Sequence, residues 1–212
     1  MMLGARIALW SGKQLPYDAE IEYLETPGEQ FIKTDITSDL IYEVEYSCRY
    51  SENSTTGTFV SVFKSWDRAL HMCLDKSSSR INWTHGYYYD SSETRITISD
   101  ITRKDLVVKL YKAKDTYIFI NGVQKGSSSR GGLPNSIDGS SLYFFGTSSS
   151  YVNVQNGGRL YYCKIRDLNN VIIHDFIPVR KDDLGYLFDR VSGRLFGNSG
   201  TGAFIIGPDK TT

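Results

Sequence analysis

Residues 159–208 read RLYYCKIRDLNNVIIHDFIPVRKDDLGYLFDRVSGRLFGNSGTGAFIIGP. The stretch predicts a strand, a turn, a second strand and then a series of tight glycine-rich turns. Leu160, Tyr162, Lys164 and Arg166 alternate with Tyr161, Cys163, Ile165 and Asp167, the period of two that a strand imposes. Asn169-Asn170 marks a turn, and Val171–Val179 follows as a second apolar run. Val191-Ser192-Gly193 and Asn198–Gly202 each lead into an apolar pair, Leu195-Phe196 and Phe204-Ile205. Turns of this kind let short segments fold back on a sheet without a helix. No catalytic group is dictated by the pattern.

Length and composition set the outer bounds. A chain of 212 residues suits one domain, and all-β sandwiches reach this size as single units. Hydrophobic residues make up 40% and aromatics 13%, enough for a sizeable core. The 15 tyrosines suit both pleated surfaces and wet binding faces. Basic and acidic residues balance at 24 each, which argues against a broad nucleic-acid footprint. Cys48, Cys73 and Cys163 each sit in an apolar strand-like run and read as buried free thiols, with one bridge plus a free thiol as the alternative. The apolar run Ile7–Trp10 is too short for a signal peptide or a membrane span, so neither export nor membrane insertion is expected.

Two parts are expected: an N-terminal arm, residues 1–18, and a β-sandwich domain, residues 19–212. The arm carries the apolar residues Leu3, Ile7, Leu9 and Trp10. It reads either as a first strand packed on its own domain or as an assembly arm docked on a neighbouring subunit. Glu20–Glu25 reads as one strand and Phe31–Thr34 as the next. Ile41–Tyr50 places Tyr42, Val44, Tyr46, Cys48 and Tyr50 on one face and Glu43, Glu45, Ser47 and Arg49 on the other. The first face is expected to be packed and the second wet. Further strands are expected at 58–64, 69–75, 80–84, 95–99, 106–112, 117–120 and 142–146. Residues 100–105 could make one helical turn. Asn121-Gly122 is the strongest hairpin signal in the chain. So many short strands, with no sustained helical period, predict an all-β, two-sheet antiparallel sandwich.

Three stretches carry a resemblance. DLVVKLYKAKDTYIFINGVQ (105–124) resembles the laminin-G-like pattern. IEYLETPGEQFIKTDI (21–36) and the 159–208 stretch resemble a group of concanavalin A-like lectin/glucanase domains common in bacteriophages, prophages and gut bacteria. The resemblance implies a jelly-roll sandwich. It also implies a phage setting: a virion structural or surface protein such as a capsid decoration, head-fibre or tail-associated module. Its partners would be other virion proteins or copies of itself, and it would be made in the bacterial cytoplasm before joining the particle. The fold hosts lectins, hydrolases and structural modules alike, so it does not choose among them.

Candidate chemistry is sparse. Glu20-x-Glu22-x-x-Glu25 has the spacing of the catalytic strand in laminarinase-like glycosidases, where two carboxylates face each other at ~5–5.5 Å. Against this, Glu22 stands where those enzymes carry Asp, and the strand opens the domain. A solvated acidic face is the plainer reading, and no enzyme activity is expected. His71, His85 and His174 share no metal-ligand spacing, no G-x-S-x-G elbow occurs, and Gly200-Thr201-Gly202 reads as a turn. No cofactor or metal is implied, although Asp138 and Asp182-Asp183 are loop positions at which calcium could sit. Glycan binding would use aromatic faces near loops: Trp66, Trp83, Tyr87, Tyr88, Tyr89 and Tyr151, with core packing or a protein interface as alternatives. Three classes of function therefore stand open: a non-enzymatic virion protein, a free-standing carbohydrate-binding lectin module and a glycoside hydrolase.

Overall fold

The computed structural model describes residues 14–37, 43–51, 57–65, 68–75, 80–86, 94–99, 105–112, 116–128, 141–146 and 157–211. Every element among them is a strand. In chain order these are β1 (Ala19–Glu20), β2 (Leu24–Thr26), β3 (Ile32–Thr37), β4 (Glu43–Tyr50), β5 (Gly57–Ser65), β6 (Arg68–Asp75), β7 (Arg80–Gly86), β8 (Thr94–Ser99) and β9 (Asp105–Lys112). They continue as β10 (Thr116–Ile120), β11 (Val123–Ser128), β12 (Ser141–Phe144), β13 (Gly158–Arg166), β14 (Ile172–Lys181), β15 (Leu184–Asp189), β16 (Arg194–Phe196) and β17 (Ile205–Ile206). The larger sheet runs β11-β10-β9-β4-β13-β14-β15-β16, with β1, β2 and β17 filling in beside it. The smaller runs β3-β12-β5-β6-β7-β8. Both are antiparallel, and together they form a two-sheet jelly-roll sandwich.

The core lies between the sheets. From β4 it takes Val44, Tyr46, Cys48 and Tyr50, all at most 1% exposed, the set that alternation predicts. Aromatic rings fill its middle: Phe59 meets Tyr50 at 4.9 Å and Phe145 at 5.8 Å, and Phe144 meets Phe176 at 4.8 Å. Phe59 and Val60 are neighbours in sequence yet both enter the core, because the β5–β6 register shifts between Thr58 and Ser61. Phe144 and Phe145 both enter it too, where Phe145 turns to a φ of 59° as β12 ends. Cys48 and Cys163 are buried free thiols, and burial pushes both well above the ordinary thiol range. Cys73 lies on β6, its side chain outside the description.

Three local expectations change. Glu20–Glu25 is not one strand: β1 pairs with β14, Ile21 bridges to Asp209, and β2 pairs with β13. The segment bends because it fills the fork where β13 and β14 part, and Ile21 and Leu24 are both fully buried there. β13 does not alternate regularly. Its register against β4 shifts between Leu160 and Tyr162, a bulge that puts Leu160 and Cys163 on the same inner face. The second face of β4 is not simply wet, since Glu43 is only 5% exposed. Tyr42 and the connector at 100–104 lie outside the described residues.

β17 closes the fork from the other side of β2, pairing Ile205 with Glu25 and Ile206 with Leu24. The turn before it is stitched to the stretch that follows β2. Ser199 N–H donates to Phe31 O (2.7 Å), Phe31 N–H to Asn198 Oδ1 (3.2 Å) and Gln30 Nε2 to Thr201 O (2.7 Å). A side chain at Gly200 would meet Glu29 O at 2.1 Å, so glycine is required for this close approach. The Asn198–Gly202 turn therefore has a structural role.

On the outer face of the larger sheet, Ile177, Val179 and Phe188 form a small second cluster. Tyr17 covers it, its ring 4.9 Å from Phe188, and Asp18 N–H donates to Arg180 O at 2.8 Å. The expected arm residues Leu3, Ile7, Leu9 and Trp10 lie outside the described residues.

Candidate functional site

Alternation along β4, β9, β10 and β13 sends one set of side chains to the core and the other to the outer face of the larger sheet. Register then fixes which outer residues are neighbours. Phe119 pairs with Gln124 and Lys109, Lys109 with Glu45, Glu45 with Lys164, and Lys164 with Asp175. This row runs across five strand boundaries, and from Lys109 to Asp175 its charges alternate in sign. Opposite charges directly across strands are the favourable arrangement.

Within this face lies a depression of about 460 Å³ lined by Glu43, Glu45, Val107, Lys109, Phe119 and Gly122. Its floor is built by two hairpin partners. Asn121 and Gly122 make the two-residue turn between β10 and β11 with φ of 49° and 77°, the left-handed pair such a hairpin needs. Asn121 is tied to β9 twice: its N–H donates to Val107 O (2.8 Å), and its Oδ1 accepts from Val107 N–H (2.8 Å). The turn thus holds Val107 and Phe119 side by side. Nothing lies within 4 Å of where a Gly122 side chain would start, so the rim is open there.

The polar wall is an ion network. Arg166 Nη1 donates to Glu43 Oε1 at 2.8 Å, and Lys109 Nζ sits 3.0 Å from Glu43 Oε2. Glu45 is held more loosely: its Oε2 lies 3.9 Å from Lys109 and 4.0 Å from Arg166. Its Oε1 accepts from Tyr162 Oη at 3.3 Å. Burial, the Glu45 charge and this hydrogen bond push the Tyr162 phenol up to about 12, so it remains a neutral donor. Beside it, Lys164 Nζ lies 5.2 Å above the Tyr162 ring. Further along, Tyr161 donates to Asp105 (2.6 Å), and Arg159 pairs with Glu25 (2.8 Å) while stacking 4.1 Å over Tyr23.

Trp66, Tyr87, Tyr88, Tyr89 and Tyr151 lie outside the described residues. Trp83 is on β7 in the smaller sheet, paired with Met72 and Ile96, its side chain outside the description. Glu20, Glu22 and Glu25 fall on a bent segment; Glu22 is exposed and Glu25 is held by Arg159. Glu43 and Glu45, two apart on one straight strand, are instead the carboxylates that share a face. Asp182 and Asp183 make the β14–β15 turn with φ of 49° and 60°. The Arg180 guanidinium stands 3.7 Å from Asp183. Among the described residues no three His, Cys, Asp or Glu side chains group as metal ligands. Asp138 lies outside the described residues.

A Ser–Asp–His cluster does form, at the β15–β16 turn. Ser192 Oγ donates to Asp189 Oδ2 at 2.7 Å, and His174 Nδ1 lies 2.8 Å from the same oxygen. In this order the carboxylate, rather than the imidazole, receives the serine proton's hydrogen bond, unlike a nucleophilic triad. Burial opposes the Asp189 charge. Hydrogen bonds from His174, the Asp175 N–H, Ser192 and the Val191 N–H outweigh it and bring the carboxyl down to about 2. The cluster locks a turn.

No protein-family model and no curated protein matches this chain. Solved structures do. The CBM40 domain of the Ruminococcus gnavus IT-sialidase is 13% identical, with a TM-score of 0.50 over 66% of this chain and 90% of that one. A candidate carbohydrate-binding protein from Bacteroides ovatus is 14% identical, with a TM-score of 0.55 over 91% of this chain and 61% of that one. Full-length tailspike protein 2 of Escherichia coli O157:H7 bacteriophage CAB120 is 14% identical, with a TM-score of 0.51 over 76% of this chain but only 28% of the tailspike. At such identities the likeness is one of fold. The chain has the β-sandwich fold of lectin-like domains.

Proposed function

We propose that this chain is a non-enzymatic recognition module that binds a saccharide on the outer face of its larger sheet. The observation that carries the reading is the depression over Val107 and Phe119, walled by Glu43, Glu45 and Lys109. Saccharide sites combine an apolar platform for the C–H face of the ring with a few fixed polar groups for its hydroxyls. Here β10 supplies the platform, β4 an acceptor and β9 a donor. Glu43 is committed to Arg166 and Lys109, which suits a scaffold rather than a proton-transfer role. The similar CBM40 domain has been solved with α2,3-sialyllactose bound, which favours a sugar as the ligand class.

The expected result on a glycan array is binding of at least one oligosaccharide by the 212-residue chain, weakened tenfold or more (~1.4 kcal/mol) in Phe119→Ala, which removes the platform. Unchanged binding by Phe119→Ala would place the sugar elsewhere. The aromatic residues Trp66, Trp83, Tyr87, Tyr88, Tyr89 and Tyr151 would then be the next to substitute.

We also propose that the module works on the surface of a phage particle, through other virion proteins or copies of itself. The sequence resemblance to phage and prophage domains favours this, as does the likeness to part of a tailspike. Purified particles from a producing strain should contain peptides of this chain in amounts matching known particle proteins. Their absence would leave the free-standing lectin module as the better reading.

A further inference from the structure

We infer that the depression selects neutral sugars over acidic ones, and that Glu45 is the residue that sets this choice. The inference rests on the saccharide reading above and specifies its ligand. Among the described residues, the ionic groups lining the depression are Glu43, Glu45 and Lys109, two negative charges and one positive. They are not equivalent. Both oxygens of Glu43 are engaged, by Arg166 at 2.8 Å and Lys109 at 3.0 Å, and its side chain is 6% exposed. It is part of the frame. Glu45 is 20% exposed, and among the described residues the cations paired with its Oε2 stand back at 3.9 and 4.0 Å. That oxygen keeps acceptor capacity on a residue that lines the depression. Lys109, 35% exposed, has one N–H directed to Glu43 and others to give.

A sugar with adjacent hydroxyls matches this pair. One hydroxyl donates to Glu45 Oε2 and its neighbour accepts from Lys109 Nζ, while the ring's C–H face rests on Phe119, the register partner of Lys109. A carboxylate-bearing sugar in the same place meets Glu45 directly. Lys109 and Arg166 already balance the charges of Glu43 and Glu45, so the N–H that Lys109 keeps for a hydroxyl brings no surplus positive charge to offset a third carboxylate. Removing either cation would uncover a buried charge, and removing a partner from a buried pair is strongly unfavourable. Lys164 stands on the far side of Glu45 in the same row and does not line the depression. Like-charge juxtaposition of this kind is how a site excludes a competitor that it could otherwise fit.

The test titrates the full chain, by calorimetry, with matched probes: lactose against α2,3-sialyllactose, galacto-oligosaccharide against oligogalacturonate, and manno-oligosaccharide against oligomannuronate. The expected result is binding of a neutral member at least about tenfold tighter than its acidic counterpart. Glu45→Gln keeps size and hydrogen bonding while removing the charge, so it should fold normally and reduce that ratio about tenfold. A thermal melt checks the fold, and Glu22→Gln, an exposed carboxylate off this face, should leave the ratio unchanged. An acidic probe that binds as well as its neutral partner overturns the inference while leaving the saccharide reading standing. So does a ratio that Glu45→Gln does not move. No binding by any probe, here or on the array, overturns both.

Discussion

Asp189→Ala should cost about 4 kcal/mol of stability. The Asp189 carboxylate is fully buried. It accepts from His174 Nδ1 at 2.8 Å, Ser192 Oγ at 2.7 Å, Asp175 N–H at 2.9 Å and Val191 N–H at 3.1 Å. Alanine leaves all four groups without their acceptor at the point where β15 turns into β16. Asp189→Asn keeps the volume but turns an amide donor towards donors, so a loss of about 2 kcal/mol is expected. The pH dependence has a definite sign. The folded carboxyl titrates at about 2 against an ordinary 3.8. Its contribution is therefore present above the ordinary value and is lost as pH falls through the folded one. Urea unfolding at pH 7 and near pH 2.5 measures both effects. The wild-type chain should lose more stability between those two conditions than Asp189→Asn does. Equal losses would show that the acid sensitivity arises elsewhere.

Glu43→Ala comes next, at about 3 kcal/mol. The reason is the same asymmetry seen from the opposite charge. Arg166 and Lys109, with side chains 18% and 35% exposed, would keep their charges and lose the carboxylate between them. Glu43→Gln retains an acceptor for Arg166 and should lose about half as much. Arg159→Ala on the more open Glu25–Arg159 pair should fall within about 1 kcal/mol, apart from its packing on Tyr23. A double-mutant cycle between Glu43 and Arg166 isolates the pair; a coupling near zero would mean that solvent screens the network and that the site has no rigid wall. Coupling of about 1 kcal/mol or more is expected.

The sandwich was legible because its signals are local. Val44, Tyr46, Cys48 and Tyr50 alternate cleanly, Asn121-Gly122 marks its hairpin, and the 159–208 stretch spells out its own turns. The departures all need a partner that local pattern does not contain. The bulge near Tyr161 adds one residue to a run that still looks periodic, so alternation assigns Leu160 and Cys163 to opposite faces. Glu20–Glu25 reads as one strand until the fork between β13 and β14 bends it. Glu43 looks like any outer-face glutamate, and its burial depends on Lys109 and Arg166 arriving from two other strands. The candidate site was hidden for the same reason. Motif spacing points to the carboxylates of Glu20–Glu25, and loop placement to aromatics such as Trp66 and Tyr151. Phe119 stands instead on a strand, two register steps from Glu45. The available signal was charge complementarity on the outer positions of β4, β9 and β13, which becomes visible only once those strands are set side by side.

The seam that seals the fork also has a mechanical side. Glu22 N–H bonds to Pro208 O at 2.9 Å, Gly207 N–H to Tyr23 O at 3.0 Å and Lys210 N–H to Glu20 O at 2.8 Å. The two segments run in opposite directions, so residues 20 and 210 lie side by side, and the chain before residue 20 stays bonded to β14 through Ala19 and Asp18. A pull that separates them first strips β1 from β14 and then loads these bonds one after another, as in opening a zip. A load passing from the outer face to one end alone does not cross the seam. Tension between the two ends is therefore borne by β1 on β14 before it reaches the seam.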